Sequence, residues 1–181
     1  NLFEDEGIKI NINFLTSYLD NNGEKTKNYK KIKNNINNEI PLNCYTTWHT
    51  KNIPPNMYNN FESLKEKNPE LTFHLYDETD CKLFIQQYFD KSVYHAYIKL
   101  VPSSYKSDLW RYCVLYVNGG TYIDIKYNTI NGCKLIDLYN REQFVYDHYK
   151  RGTIWEKDEM GLYTSLIIVK PKNQILFQCI Q

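Results

Sequence analysis

The chain has 181 residues, 42 % of them hydrophobic, and 22 basic side chains against 21 acidic ones give a net charge of +1. That length suits one domain and that apolar fraction can fill a core, which excludes wholesale disorder. The near-zero charge argues against a nucleic-acid partner, and no apolar run approaches the ~18 residues that cross a bilayer.

Residues 1–38 are polar, with an acidic start (Glu4, Asp5, Glu6) and a basic stretch from Lys25 to Lys33. They read as an N-terminal cap or linker, with 39–181 as the folded domain. Asn1 is neither an initiator Met nor the start of a signal peptide, so a processed or excised chain is expected. Leu42–Trp48 predicts a first strand, broken at Ile53-Pro54-Pro55. Tyr58, Phe61 and Leu64 have helical spacing, and that helix stops at Asn68-Pro69. Leu71–Tyr76 predicts a second strand. Asp77 is placed to cap a helix carrying Leu83, Phe84 and Tyr88.

Helices follow over Val93–Leu100 and from about Ser104 to Asn118, where Gly119-Gly120 ends the second. Thr121–Tyr127, Phe144–Asp147 and Ser165–Val169 read as strands, with a last helix starting near Asn173. Strands alternating with helices predict an α/β fold with a parallel or mixed sheet.

The 17 tyrosines, many Asn, Lys and Ile, and only three Arg share AT-rich codons, so this bias reads as genome composition. Five cysteines (44, 81, 113, 133, 179) show no C-x-x-C pair and no zinc-finger spacing. Cys113 and Cys179 fall in apolar patterns, as free thiols packed like small hydrophobes do. With no N-x-[ST] sequon either, a reducing compartment is expected, cytoplasmic or virion-associated. The histidines at 49, 74, 95 and 148 are scattered and read as structural. Asp147 reads as a strand-end cap, and Asp158 and Glu159 as solvated loop acids.

In open α/β sheets a ligand cleft lies at the carboxyl ends of the strands, which directs attention to Tyr122-Ile123-Asp124-Ile125-Lys126-Tyr127. A period of two puts Ile123, Ile125 and Tyr127 on one face and Tyr122, Asp124 and Lys126 on the other. Asp and Lys are poor strand formers, so either a ligand answers them or they form an ion pair on an edge strand. The preceding helix is apolar nearly all round, except for Asp108 and Arg111, which share one face at i, i+3. That pair is either structural or a carboxylate and a bidentate donor aimed at sugar hydroxyls and a phosphate.

Ser107-Asp108-Leu109-Trp110-Arg111-Tyr112, then Leu115-Tyr116, then Gly119-Gly120-Thr121-Tyr122-Ile123-Asp124 resembles the central signature of glycosyltransferase family 32. Trp48, Pro54-Pro55, Asn68-Pro69 and Tyr76-Asp77 upstream agree with it, as do 163–171 and 173–180 downstream. The likeness spans roughly 40–181. The composition is similar to giant-virus members of that family. The resemblance implies a GT-A fold, a Rossmann-like mixed sheet in a single domain. It implies transfer of a sugar from a nucleotide-sugar donor (a UDP- or GDP-sugar) to a glycan, protein or other acceptor, with retention of configuration.

By the same resemblance, Asp124 matches the first Asp of the D-x-D motif, which contacts donor sugar and ribose. Asp108 and Arg111 match the pair that orients the sugar and steadies the leaving diphosphate. Trp48 matches the residue stacked on the base, and Tyr122 lies against the nucleotide. These assignments make Asp108, Arg111 and Asp124 the catalytic candidates. The resemblance also implies a segment past the last helix that helps close the donor site, so the chain either ends without it or is a piece of a longer one.

One position departs from the pattern. The family's second D-x-D carboxylate ligates Mn²⁺ or Mg²⁺, and here that position is Lys126, which cannot. Lys126 and Arg111 are then expected to supply the positive charge facing the diphosphate. The alternative is an inactive module that binds the nucleotide-sugar without turning it over.

Overall fold

The computed structural model describes residues 39–147 and 161–181. β1 (Asn43–Thr47) leads through Pro54 into α1 (Pro55–Lys67), which starts earlier than its apolar spacing suggests. The pair that breaks the strand also opens the helix, because proline at the first helical position loses no hydrogen bond and brings a helical φ. After Asn68 comes β2 (Thr72–Tyr76), then α2 (Glu78–Tyr88), α3 (Lys91–Lys99) and α4 (Ser103–Asn118). Asp77 caps α2 in a reciprocal box, accepting from the Asp80 N–H while Asp80 accepts from its own. Gly119 ends α4 and β3 (Gly120–Ile123) begins at once.

A 3₁₀ turn (Leu135–Leu138) precedes β4 (Gln143–Asp147), β5 (Gly161–Val169) and α5 (Gln174–Ile180), with Asn173 capping the last. The five strands form one sheet in the order β2-β1-β3-β5-β4. β2, β1 and β3 are parallel; β5 is antiparallel to both β3 and β4, so the sheet is mixed.

Alternation along the strands divides the core between the two faces of the sheet. Tyr45, Tyr122 and Ile167 join α2–α5 around the fully buried Trp110, while Cys44, Ile123 and Ile168 join Leu64 of α1 and the 3₁₀ residues Leu135 and Leu138 on the other side. The connection from β1 to β2 therefore crosses one face, and the α2–α4 connection back to β3 crosses the other. β1 has a parallel neighbour on each side, and the crevice between the ends of β1 and β3 is where such sheets bind ligands.

Two expectations need correction. The strand expected over Thr121–Tyr127 stops at Ile123, and Asp124–Tyr127 is a turn closed by the Tyr127 N–H on the Asp124 carbonyl at 3.0 Å. Cys179 is exposed: on a helix this short, Leu176 and Ile180 take the inward face and Cys179 falls beside it. Cys113 is fully buried, as its pattern suggests, and none of the five cysteines is in a disulfide. His74 is structural, stacked on Tyr45 at 5.0 Å and bonded to Asn43 Oδ1 at 3.0 Å. Among the described residues, no helix is long and apolar enough to cross a membrane. Residues 1–38, His148, Asp158 and Glu159 lie outside the described residues.

Candidate active site

Trp48 and Asp124 are each the first residue beyond neighbouring parallel strands, so both emerge at the switch point of the sheet. Asp124 reaches its partners through simple geometry. Eight helical residues from Arg111 to Gly119 climb about 12 Å, and four extended residues from Gly120 to Asp124 descend about 13 Å. The chain thus returns Asp124 to the level of Arg111.

Arg111 is 5 % exposed, and its fork is almost fully engaged by the protein. Nη1 donates to the Thr164 carbonyl at 2.7 Å and to Thr164 Oγ1 at 3.0 Å, and Nε donates to the Ser107 carbonyl at 3.3 Å. Nη2 faces Asp108 Oδ1 at 2.7 Å and Asp124 Oδ1 at 3.7 Å. The guanidinium also lies 4.5 Å from the Tyr122 ring centroid, within cation–π range. The structure thus spends Arg111's donors on its own carboxylates and on β5. With its N–H groups on these partners, the fork has few donors left for a ligand.

Tyr122 lies deeper. It is 1 % exposed, packed edge-on against Trp110 at 6.3 Å between ring centroids, with almost no surface open to a ligand. Its hydroxyl instead donates to Asp124 Oδ1 at 2.9 Å. Burial, more than any neighbouring charge, pushes this phenol well above its ordinary value, so it stays a donor at every physiological pH. The Asp124 N–H is fixed as well, on the Ser165 carbonyl at 3.0 Å.

Asp108 is the more exposed carboxylate, 47 % open. Burial raises it above the usual aspartate value, Arg111 pulls it back down, and Asp124 adds a further upward push. The folded chain therefore holds this proton at a pH where the unfolded chain has already released it. The stability cost of ionising Asp108 is full above its raised value and gone below the ordinary one. We expect Asp108→Asn to leave the melting temperature at pH 7 unchanged or higher while weakening donor binding. A clear fall in melting temperature would mean the Arg111 pair dominates instead.

Lys126 stands on the turn with 56 % of its side chain exposed, its Nζ 3.8 Å from Asp124 Oδ2. Trp48 is half-buried beside His49, its indole N–H without a hydrogen-bond partner among the described residues, and its backbone N–H donates to the Tyr76 carbonyl at 3.0 Å. The site thus brings Asp108, Arg111, Tyr122, Asp124 and Lys126 into contact and sets Trp48 at the same end of the sheet. A divalent ion does not fit this donor set in the usual way. Lys126 replaces one carboxylate, Asp124 Oδ1 already meets Tyr122 and Arg111, and no cluster of three potential ligands exists among the described residues.

Two residues of the site escaped the sequence. Thr164 of β5 anchors Arg111, and Asn60 of α1 holds the turn, its Nδ2 donating to the Ile125 carbonyl at 2.7 Å and the Tyr127 carbonyl at 2.9 Å. Neither carries a local signal, since each acts across more than fifty residues of sequence.

The fold has a solved counterpart in "PaToxG Glycosyltransferase", with a TM-score of 0.52 at 17 % identity over 78 % of this chain and 59 % of that one. The likeness supports an α/β, GT-A-like architecture. An initiation-specific α-1,6-mannosyltransferase of Candida albicans is 28 % identical over 123 residues, which is 64 % of this chain. The chain spans 31 % of that relative's length. Residues 26–133, more than half of the chain, match the family described as the glycosyltransferase sugar-binding region containing a DXD motif, and the chain belongs to that family.

Proposed function

We propose that this chain binds a nucleotide-sugar, a UDP- or GDP-sugar, and transfers its sugar to a hydroxyl of a glycan, protein or other acceptor, with retention of configuration as the family resemblance implies. One observation carries the reading: a carboxylate, Asp124, held by a buried arginine and a buried tyrosine at the switch point of the sheet, inside the family's sugar-binding region. In this reading Trp48 stacks on the base. Asp124 contacts ribose and donor sugar, Asp108 the sugar, and Lys126 the diphosphate. Arg111 and Tyr122 keep the carboxylates in place.

The reaction breaks the bond from the anomeric carbon to the diphosphate oxygen, which leaves with the bonding electrons. The acceptor oxygen forms the new bond and loses its proton. Charge thus develops on the diphosphate, where a fixed cation lowers the barrier.

A second reading, binding without turnover, is favoured by one residue: Lys126 takes the place of a family carboxylate. Both readings predict stabilisation by donor, about 2.7 kcal/mol at a hundred times the dissociation constant. Release of nucleoside diphosphate separates them. We expect release from the wild-type chain and none from Asp124→Ala. Donor stabilisation without release leaves the binding module standing. If Asp124→Ala binds donor as tightly as wild type, the donor-site assignment is wrong.

A further inference from the structure

We propose that Lys126, carried on a turn clamped by Asn60, takes the place of the divalent cation, so that this chain binds the diphosphate of its donor without metal. The inference rests on the donor-site reading above and adds the nature of the counter-charge.

Charge at this site begins with Asp124. Its Oδ1 already receives the Tyr122 hydroxyl and faces Arg111 at 3.7 Å, while Oδ2 faces the Lys126 ammonium at 3.8 Å. An incoming divalent ion would have to sit against that ammonium and compete for the same oxygen. The two cations play different parts. Arg111 is buried and hydrogen-bonded to Thr164 and Ser107. Lys126 is more than half exposed and beyond hydrogen-bond distance of Asp124, so its N–H groups remain available to phosphate oxygens.

A lysine is a poor substitute for a metal when its stem wanders, and the fold limits that wandering at the backbone. Asn60 donates to the carbonyls on both sides of Lys126, those of Ile125 and Tyr127. Asn128 Nδ2 returns hydrogen bonds to Asn60 Oδ1 at 3.0 Å and to the Asn60 carbonyl at 3.2 Å. Lys67 ties down the next residues, donating to Asn128 Oδ1 at 3.0 Å and to the Thr129 carbonyl at 3.1 Å. Helix α1 thereby fixes the base of the Lys126 side chain. On the other side, Tyr163 hydrogen-bonds to the Tyr127 hydroxyl, and the Lys126 Nζ lies 5.1 Å from the Tyr127 ring. Asn60 is a positioning residue: it acts on the ligand only through the turn.

The test is calorimetric titration of the chain with UDP-glucose and with GDP-mannose, each in EDTA and in Mn²⁺. The same is done for Lys126→Ala, Lys126→Asp and Asn60→Ala. The wild type should bind one donor with the same affinity in EDTA and in Mn²⁺. Lys126→Ala should bind about ten- to a hundredfold more weakly, the range for one charge-assisted hydrogen bond, and Mn²⁺ should not restore it. Lys126→Asp should bind weakly in EDTA and recover with Mn²⁺, because it recreates a carboxylate pair around the turn. Asn60→Ala should lose several-fold while remaining indifferent to Mn²⁺.

Lys126 is exposed, so its variants should keep the wild-type melting temperature without donor. Wild-type binding that appears only with Mn²⁺ overturns this proposal and leaves the donor site intact. Equal affinities of wild type and Lys126→Ala in EDTA overturn it as well. If neither donor binds under any condition, the donor-site reading itself falls, and this inference with it.

Discussion

Exchanging Arg111 for methionine should cost about 3 kcal/mol of unfolding free energy and abolish donor binding. Methionine fills much of the same space, so the loss is electrostatic and directional rather than a cavity effect. Three hydrogen bonds to Ser107 and Thr164 disappear, and Asp108 and Asp124 are left facing one another around an apolar side chain. Removing one partner of a buried ion pair costs roughly 3–5 kcal/mol, and the lower end applies because Asp108 is half open and can rehydrate. Among the described residues, Asp124 then keeps the Tyr122 hydroxyl and Lys126 near its carboxylate.

A urea titration measures the stability, and donor titration the binding. Arg111→Met combined with Asp108→Asn should recover part of the stability, since one of the uncompensated charges is gone, but none of the affinity. A loss below about 1 kcal/mol in the single variant would show that solvent already screens the network and that Arg111 is not what holds it together.

Much of this architecture is written in local residues. Asp77 and Asn173 mark their helix starts because a side-chain acceptor on an otherwise orphaned N–H is decided within three residues. The α/β alternation, Gly119 as the end of α4, and the shared face of Asp108 and Arg111 follow equally from short-range spacing. The strand overrun at Asp124 has the opposite origin. Residues 124–127 alternate like a strand, but alternation does not say who takes the backbone hydrogen bonds. The carbonyls of Ile125 and Tyr127 are taken by Asn60, a side chain 65 and 67 positions away, so no strand partner is needed.

Asn60 itself is invisible in a chain this rich in asparagine. The depth of Tyr122 is hidden for a related reason. Its place in the motif says nothing about depth, and only the packing of Trp110 and Arg111 around it turns an expected ligand contact into a buried donor to Asp124. The candidate site was therefore legible as a set of residues, whereas the division of labour among them depends on contacts that arise only after folding.

The spacing of β1 and β3 sets the width of the crevice, and it rests on Gly120. This residue has φ +97°, a region that side-chain-bearing residues rarely adopt, and a Cβ there would lie 2.5 Å from the Asn43 carbonyl oxygen and 3.2 Å from that of Pro41. Neither obstacle is a flexible side chain that could swing aside. We expect Gly120→Ala to cost about 4 kcal/mol, combining roughly 1–3 for the backbone conformation with roughly 1–3 for forced expansion.

Gly132 supplies the control. It also has a positive φ, +73°, yet a Cβ there meets nothing within 4 Å among the described residues, so Gly132→Ala should cost only about 1 kcal/mol. With a slope of about 1–3 kcal/mol per molar urea, the two midpoints should stand about 1–3 M apart. Equal costs would mean that β1 yields freely and that conformation alone accounts for the glycine. Unequal costs, with donor affinity lost in Gly120→Ala and kept in Gly132→Ala, would tie the distance between the two strands to the site at their ends. The Asn43 carbonyl lies at the start of β1, five residues before Trp48, and Gly120 opens β3, four residues ahead of Asp124. A wedge between them would shift the strands as rigid units and carry Trp48 away from Asp124, the two residues that the proposed donor site needs side by side.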